Sequence, residues 1–120
     1  MTRVRCDATI RSSPEDLFDF VTTPAHRPEW HPSSVRVTGD ADHSQLVGER
    51  CVEKFIVAGR HGECEWTVLE REALHRWVID ARPPAGGGAR ITYELSAVEG
   101  GTHFVRTMDY EMPNAFLELS

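Results

Sequence analysis

A helical segment at residues 13–32 constrains the fold most, because only strand-like sequence follows it. Ser13 can cap a helix that begins with Pro14, since the missing N–H of proline costs nothing at that position. Pro24 ends this helix, and Pro28 limits a second one. The sequence therefore predicts two short helices, near 14–23 and 24–31, after a short N-terminal strand.

After residue 32, apolar and polar residues alternate with a period of two, which is the pattern of half-buried strands. The segment at 63–72 is an example, with Cys64, Trp66 and Val68 on one face. A hairpin turn is expected at 59–62, and no helix is expected until after residue 113. The pattern predicts an α+β protein of order β-α-α-β6 with a curved antiparallel sheet, its six later strands lying near 35–39, 49–58, 63–72, 75–82, 89–98 and 102–112.

Composition is that of one domain spanning residues 1–120, with 40% hydrophobic and 27% charged residues. A net charge of −6 argues against binding to nucleic acid, which needs clustered Lys and Arg. The sequence contains no run of about 18 apolar residues, so no membrane span is expected. The first residues lack the apolar core of a signal peptide, so a cytoplasmic protein is expected. One lysine against twelve arginines suggests a GC-rich bacterial genome.

Cys6, Cys51 and Cys64 are odd in number and lack C-x-x-C spacing. Buried, reduced strand residues of a cytoplasmic protein are the plain interpretation. A zinc site would require distant strands to converge, and a reactive thiol would need a neighbouring base that no motif provides. We therefore predict neither a metal nor a cofactor.

The wording SPEDLFDFVTTPAHRPEWHPS, together with the predicted order of elements, resembles the START-like superfamily. It is most similar to the branch of polyketide cyclases/dehydrases and lipid-transport proteins. The resemblance implies a helix-grip fold, in which a long C-terminal helix lies across the sheet above a ligand cavity. It extends over nearly the whole chain, through residues 47–50, 66–68, 89–95 and 100–106.

The C-terminal residues 113–120 depart from the family pattern, because they correspond to only one or two turns of the expected long helix. Two short helices cannot cover the apolar face of seven strands. Either the chain has been trimmed or a partner, such as a second copy in a homodimer, supplies the cover.

The last predicted strand contains Arg106 among large apolar residues. Side chains two apart share a face, so Arg106 should point inward together with Phe104, Met108, Tyr110 and Met112. An unpaired buried charge costs several kcal/mol. Two explanations remain open. Arg106 reaches the rim or pairs with Glu53 or Glu70, or it binds an anionic or carbonyl ligand.

Two functions are compatible with this pattern, and both use a small hydrophobic molecule. The first is binding of a lipid, polyketide or aromatic compound. The second is an aromatase/cyclase-like enzyme that catalyses aldol cyclisation and dehydration, with Arg106, Tyr110 and His31 as catalytic candidates and Tyr93 as a further proton donor. The expected ligand-binding residues are mostly aromatic: Trp30, Phe55, Trp66, Trp77, Tyr93, Phe104, Arg106, Met108 and Tyr110. For the tryptophans, a purely structural place in the core is the more common role.

Overall fold

The computed structural model describes residues 2–84 and 86–111 and confirms the predicted order of elements in that part of the chain. The C-terminal helix expected after residue 113 lies outside the described residues. The helices are α1 (Pro14–Thr22), a 3-10 turn (Pro24–His26) and α2 (Arg27–Trp30). The strands are β1 (Thr2–Ile10), β2 (Ser34–Gly39), β3 (Arg50–Val57), β4 (Arg60–Glu72), β5 (Arg76–Arg82), β6 (Gly88–Val98) and β7 (Gly101–Glu111).

The seven strands form one antiparallel sheet in the order β1-β7-β6-β5-β4-β3-β2. Strands β2 to β7 follow one another as a meander, and β1 pairs with β7 at the far edge. β1 and β2 are therefore the two edges of the sheet. The chain passes from one edge to the other through the helices, which lie against the concave face.

Helix α1 forms as its sequence predicts. The Ser13 hydroxyl accepts a hydrogen bond from the Asp16 backbone N–H at 3.2 Å, which satisfies one of the free donors at the helix start. Leu17, Phe18 and Val21 form the buried side of the helix. The helix packs against β6 and β7, so its apolar stripe faces the sheet.

The core lies between the helices and the middle strands, on the face that the two-residue pattern predicted. Trp66, Val68, Trp77, Ile79 and Tyr93 are almost completely buried there. Cys51 and Glu53 are also buried, which establishes that the face of β3 containing them points inward.

The β3–β4 hairpin differs from the prediction. Its turn consists of Ala58 and Gly59 rather than 59–62, and β4 already begins at Arg60. Ala58 and Gly59 both have positive φ, at 51° and 77°, as in a type I′ turn. The predicted location was wrong because Gly62 belongs to the strand, where it pairs with Phe55 and leaves room for that ring.

Candidate functional site

Two cavities lie on the concave side of the sheet. The larger one has a volume of about 590 Å³ and lies between α1 and the β1–β7 edge. Its wall is mainly apolar, and most of it comes from α1 and β1. Its lining residues include Ala8, Leu17, Phe20, Trp30, Phe104 and Arg106.

The smaller cavity has a volume of about 240 Å³ and lies deeper over β3 to β7. Its wall is more polar, because the end of α2 and an inward carboxylate contribute to it. Among its lining residues are His31, Glu53, Phe55, Trp66, Arg106 and Met108.

Arg106 belongs to the walls of both cavities. Its Cα lies opposite Cys6 of β1 and Tyr93 of β6, so the side chain projects from the middle of the concave face, as its parity predicted. The Nε of Arg106 is buried, and among residues 2–84 and 86–111 it has no hydrogen-bond partner.

Pairing of Arg106 with Glu53 or Glu70 is wrong for this structure. The other part of that explanation, that Arg106 reaches the rim, stays a prediction, because the residue is half-buried. Glu53 forms its ion pair with Arg27, and Glu70 lies 3.7 Å from Arg76 on the outer face. In the described part of the chain, no carboxylate balances the charge of Arg106.

Arg27 is the buried arginine that sequence reasoning missed. It is the first residue of α2 and only 5% exposed. Its Nε donates to Glu53, and its Nη1 donates to the Tyr93 hydroxyl at 2.7 Å. Its guanidinium also lies 5.4 Å from the Trp30 ring centroid and 5.0 Å from that of Trp66. These contacts hold α2 on the concave face.

The charge of Arg27 is retained despite its burial. Burial by itself lowers the pKa of Arg27, but Tyr93 and Glu53 outweigh that effect and raise it. Arg27 and Glu53 therefore form a balanced pair. The one sequence signal for this pair was the inward parity of Glu53, which required a nearby cation.

His31 follows α2 and is half-buried beside both arginines. Its Nδ1 lies 3.0 Å from the Ser33 hydroxyl. Burial, together with the positive charges of Arg27 and Arg106, lowers the pKa of His31 to about 4. The imidazole is therefore neutral at pH 7.

The aromatic candidates form a layer between the cavities and the sheet. Tyr93 contacts Trp77, Phe104 and Trp30, with ring centroids 5.1, 5.2 and 5.9 Å apart respectively. Trp77 and Tyr93 lie beneath this layer, at 1% and 0% exposure, and are not among the lining residues of either cavity. Tyr110 packs at the border of the core and also lines neither cavity.

The cysteines are unpaired, but they are not all buried as predicted. Cys51 is buried and Cys64 is half-buried, and burial raises the pKa of both thiols, that of Cys64 to about 12. Cys6 is exposed, because the described residues do not cover the concave face of β1. The raised pKa values argue against reactive thiolates at Cys51 and Cys64.

A search of residues 2–84 and 86–111 finds no group of three metal-ligating side chains. None of the helices in this part of the chain is long and apolar enough to cross a membrane.

The combination of a curved seven-stranded antiparallel sheet, two short helices and a concave cavity defines an α+β protein of the helix-grip type. The family described as "Polyketide cyclase / dehydrase and lipid transport" matches residues 1–120, and the chain belongs to it. A comparison with curated proteins finds no match.

Solved structures agree with this fold. A Rhodobacter sphaeroides protein is 23% identical, with a TM-score of 0.77 over 99% of this chain and 79% of that one. A Chromobacterium violaceum protein is 18% identical, with a TM-score of 0.76 over 94% of this chain and 81% of that one. Major latex-like protein 151 from Panax ginseng is 12% identical, with a TM-score of 0.75 over 98% and 89% of the two chains. At these identities the likeness establishes the fold alone.

Proposed function

We propose that the protein binds a small hydrophobic molecule, such as a lipid, a polyketide or an aromatic compound, in the larger cavity. The observation that carries this proposal is an apolar cavity of about 590 Å³ whose wall includes Arg106, with a buried Nε that has no hydrogen-bond partner among the described residues. Binding sites for small molecules typically have volumes of 300–1,000 Å³ and combine an apolar wall with a few polar groups. Arg106 provides the polar contact, and Trp30 and Phe104 provide aromatic surface.

Binding is better supported than catalysis of an aldol cyclisation. Of the proton donors considered from the sequence, the Tyr93 hydroxyl is buried and accepts from Arg27, and Tyr110 lines neither cavity. His31 is neutral at pH 7 because its pKa is lowered to about 4, which leaves it a weak base and no imidazolium proton to donate. Arg106 alone can polarise a carbonyl, but it does not transfer protons at neutral pH.

The proposed compartment is the bacterial cytoplasm. Three unpaired cysteines, one of them exposed, fit a reducing environment better than an oxidising one.

The proposal also treats residues 1–120 as a single domain.

The cavity can be tested with the neutral fluorescent probe N-phenyl-1-naphthylamine. Ala8 lines the larger cavity opposite Phe104, so Ala8→Trp should fill it and weaken probe binding by about tenfold or more. Thr9→Trp is the matched control, because the next residue of β1 points to the other face. Equal probe binding by wild type and Ala8→Trp would place the probe elsewhere and refute the proposed cavity.

The natural ligand can be sought by native mass spectrometry of the protein purified from its own host. A binding protein should carry a co-purifying small molecule, and this molecule should dissociate from the protein chemically unchanged. An enzyme of the cyclase/dehydratase type would instead release a product that is lighter than its substrate by the mass of water.

A further inference from the structure

The charges around the two cavities do not balance. Glu53 and Arg27 neutralise each other, and His31 is neutral at pH 7. Among the described residues, Arg106 therefore leaves a net positive charge on the concave face, although the whole chain has a net charge of −6. The net negative charge of the whole protein attracts cations over long distances. The local positive charge of Arg106 therefore acts only on molecules that enter the cavity.

Two acidic residues, Asp7 and Asp16, are among the lining residues of the larger cavity, but they do not balance Arg106. Asp7 lies on the other face of β1, where its carboxylate is 2.9 Å from the His103 ring. Asp16 is exposed in the first turn of α1. No ion pair of Arg106 with either carboxylate is present in the described part of the chain.

The missing hydrogen-bond partner of Arg106 Nε leads to the same conclusion. A buried N–H donor without an acceptor destabilises the protein, and Arg106 Nε is such a donor among the described residues. A guanidinium is a planar fork of donors that matches a carboxylate with two parallel hydrogen bonds. A neutral hydroxyl or carbonyl would satisfy part of the fork and leave the charge uncompensated.

We infer that the ligand is an anion with an apolar body, a carboxylic acid on a hydrocarbon or aromatic skeleton, whose carboxylate binds Arg106 while the body fills the larger cavity. This inference rests on the proposed ligand-binding function. It adds the chemical class of the ligand and the residue that selects for it. Because Arg106 also borders the smaller cavity, the carboxylate lies at the junction of the two spaces.

Matched pairs of probes test the inference at pH 8, where carboxylates are ionised. Dodecanoate is compared with dodecan-1-ol, and 2-naphthoate with 2-naphthylmethanol, by displacement of N-phenyl-1-naphthylamine. Wild type should bind the acid of at least one pair about tenfold more tightly than its alcohol, as expected for a charge-assisted hydrogen bond. Arg106→Met should reduce that preference to less than about twofold while still binding the neutral probe.

Arg90→Met is the matched control, because it removes the same charge from an exposed residue on the outer face of β6. It should retain the preference for the acid. Arg106→Gln is a second variant in case the methionine variant does not fold, and circular dichroism of each variant checks the fold.

The outcomes separate the two proposals. If wild type binds the neutral probe but does not prefer either acid, the anionic ligand is refuted and the hydrophobic cavity stands. A preference that persists in both Arg106 variants would assign recognition to another group and also refute the inference. If wild type binds neither the neutral probe nor any acid, the proposed function fails, and the inference fails with it.

Discussion

Arg27 and Arg106 are two inward arginines that differ in whether a protein carboxylate balances their charge. Arg27→Met should destabilise the fold by about 3–5 kcal/mol, because it leaves the Glu53 carboxylate buried and unpaired. Arg106→Met should leave the free energy of unfolding level or raise it, because it removes a half-buried charge that is paired with no carboxylate of the described residues. Urea denaturation of the ligand-free protein measures both changes.

The double variant Arg27→Met/Glu53→Met is the control for this contrast. It removes both members of the pair, so it should recover much of the stability that Arg27→Met loses. A large loss of stability in Arg106→Met would mean that Arg106 has a structural partner, which contradicts its assignment to the ligand.

The sequence predicted part of this site and left the rest open for a physical reason. The two-residue period placed Arg106 on the inner face and indicated that it needs a partner, whereas for β3 it left both faces possible, the more apolar one being the face that contains Glu53. It could not reveal that Arg27 takes Glu53, because α2 is too short to show a helical period and its docking on the sheet is a tertiary contact. Once Glu53 is paired with Arg27 and Glu70 lies beside Arg76, Arg106 has neither of its two candidate protein partners.

His31 should make the ligand-free protein less stable in mild acid. Its pKa is about 4 in the folded protein and 6.5 in the unfolded chain, so the unfolded chain takes up the proton first as the pH falls. The stability associated with neutral His31 is present above pH 6.5 and is lost between about pH 6.5 and 4. Denaturation curves of wild type and His31→Gln across this window should show a shallower pH dependence for the variant.

His61→Gln is the matched control for this measurement, because it changes an exposed histidine outside both cavities. It should follow the wild-type curve through the same pH window. Parallel curves for wild type and His31→Gln would mean that His31 is more hydrated than its position indicates.

At the scale of elements, the β3–β4 turn contains a residue that fits its backbone poorly. Ala58 has φ of 51°, a left-handed conformation that is unfavourable for alanine and well tolerated by asparagine. Asn-Gly is the preferred pair for a type I′ turn, so Ala58→Asn should stabilise the protein by about 0.5–1 kcal/mol. Thermal denaturation measures the gain. Ala73→Asn, in the β4–β5 turn, is the control, and an equal gain there would show that the effect is not specific to the turn geometry.

Sequence patterns predicted the elements better than their junctions. Capping by Ser13 and the alternation in the strands are local, so α1 and the seven strands appear where expected. The hairpin turn was displaced because two glycines, Gly59 and Gly62, compete for the same role in a sequence-only interpretation. Pairing of Gly62 with Phe55, which decides between them, is a cross-strand contact.

At the scale of the whole molecule, the order of elements and the family wording predicted the helix-grip fold, but not the division of the concave face into two cavities. Trp30 lines the larger cavity, His31 lines the smaller one, and Arg106 lines both. The positions of these residues are set by the docking of α2 through Arg27 and by the antiparallel register of β7 with β1 and β6. Both are long-range contacts that composition and periodicity do not encode.

The β1 edge of the concave face predicts self-association of the 120-residue chain. Val4 and Ile10 are 40% and 38% exposed, and they share the inner face of β1 with Cys6 and Ala8. A contiguous apolar surface of this kind favours contact with a second copy. Light scattering over a wide range of protein concentration should therefore detect dimers or larger species.

Val4→Glu should shift the distribution toward monomer by placing a charge on this surface, whereas Val35→Glu, on the opposite edge strand β2, should not. A stable monomer that binds no hydrophobic dye at any concentration would mean that the concave face is already closed.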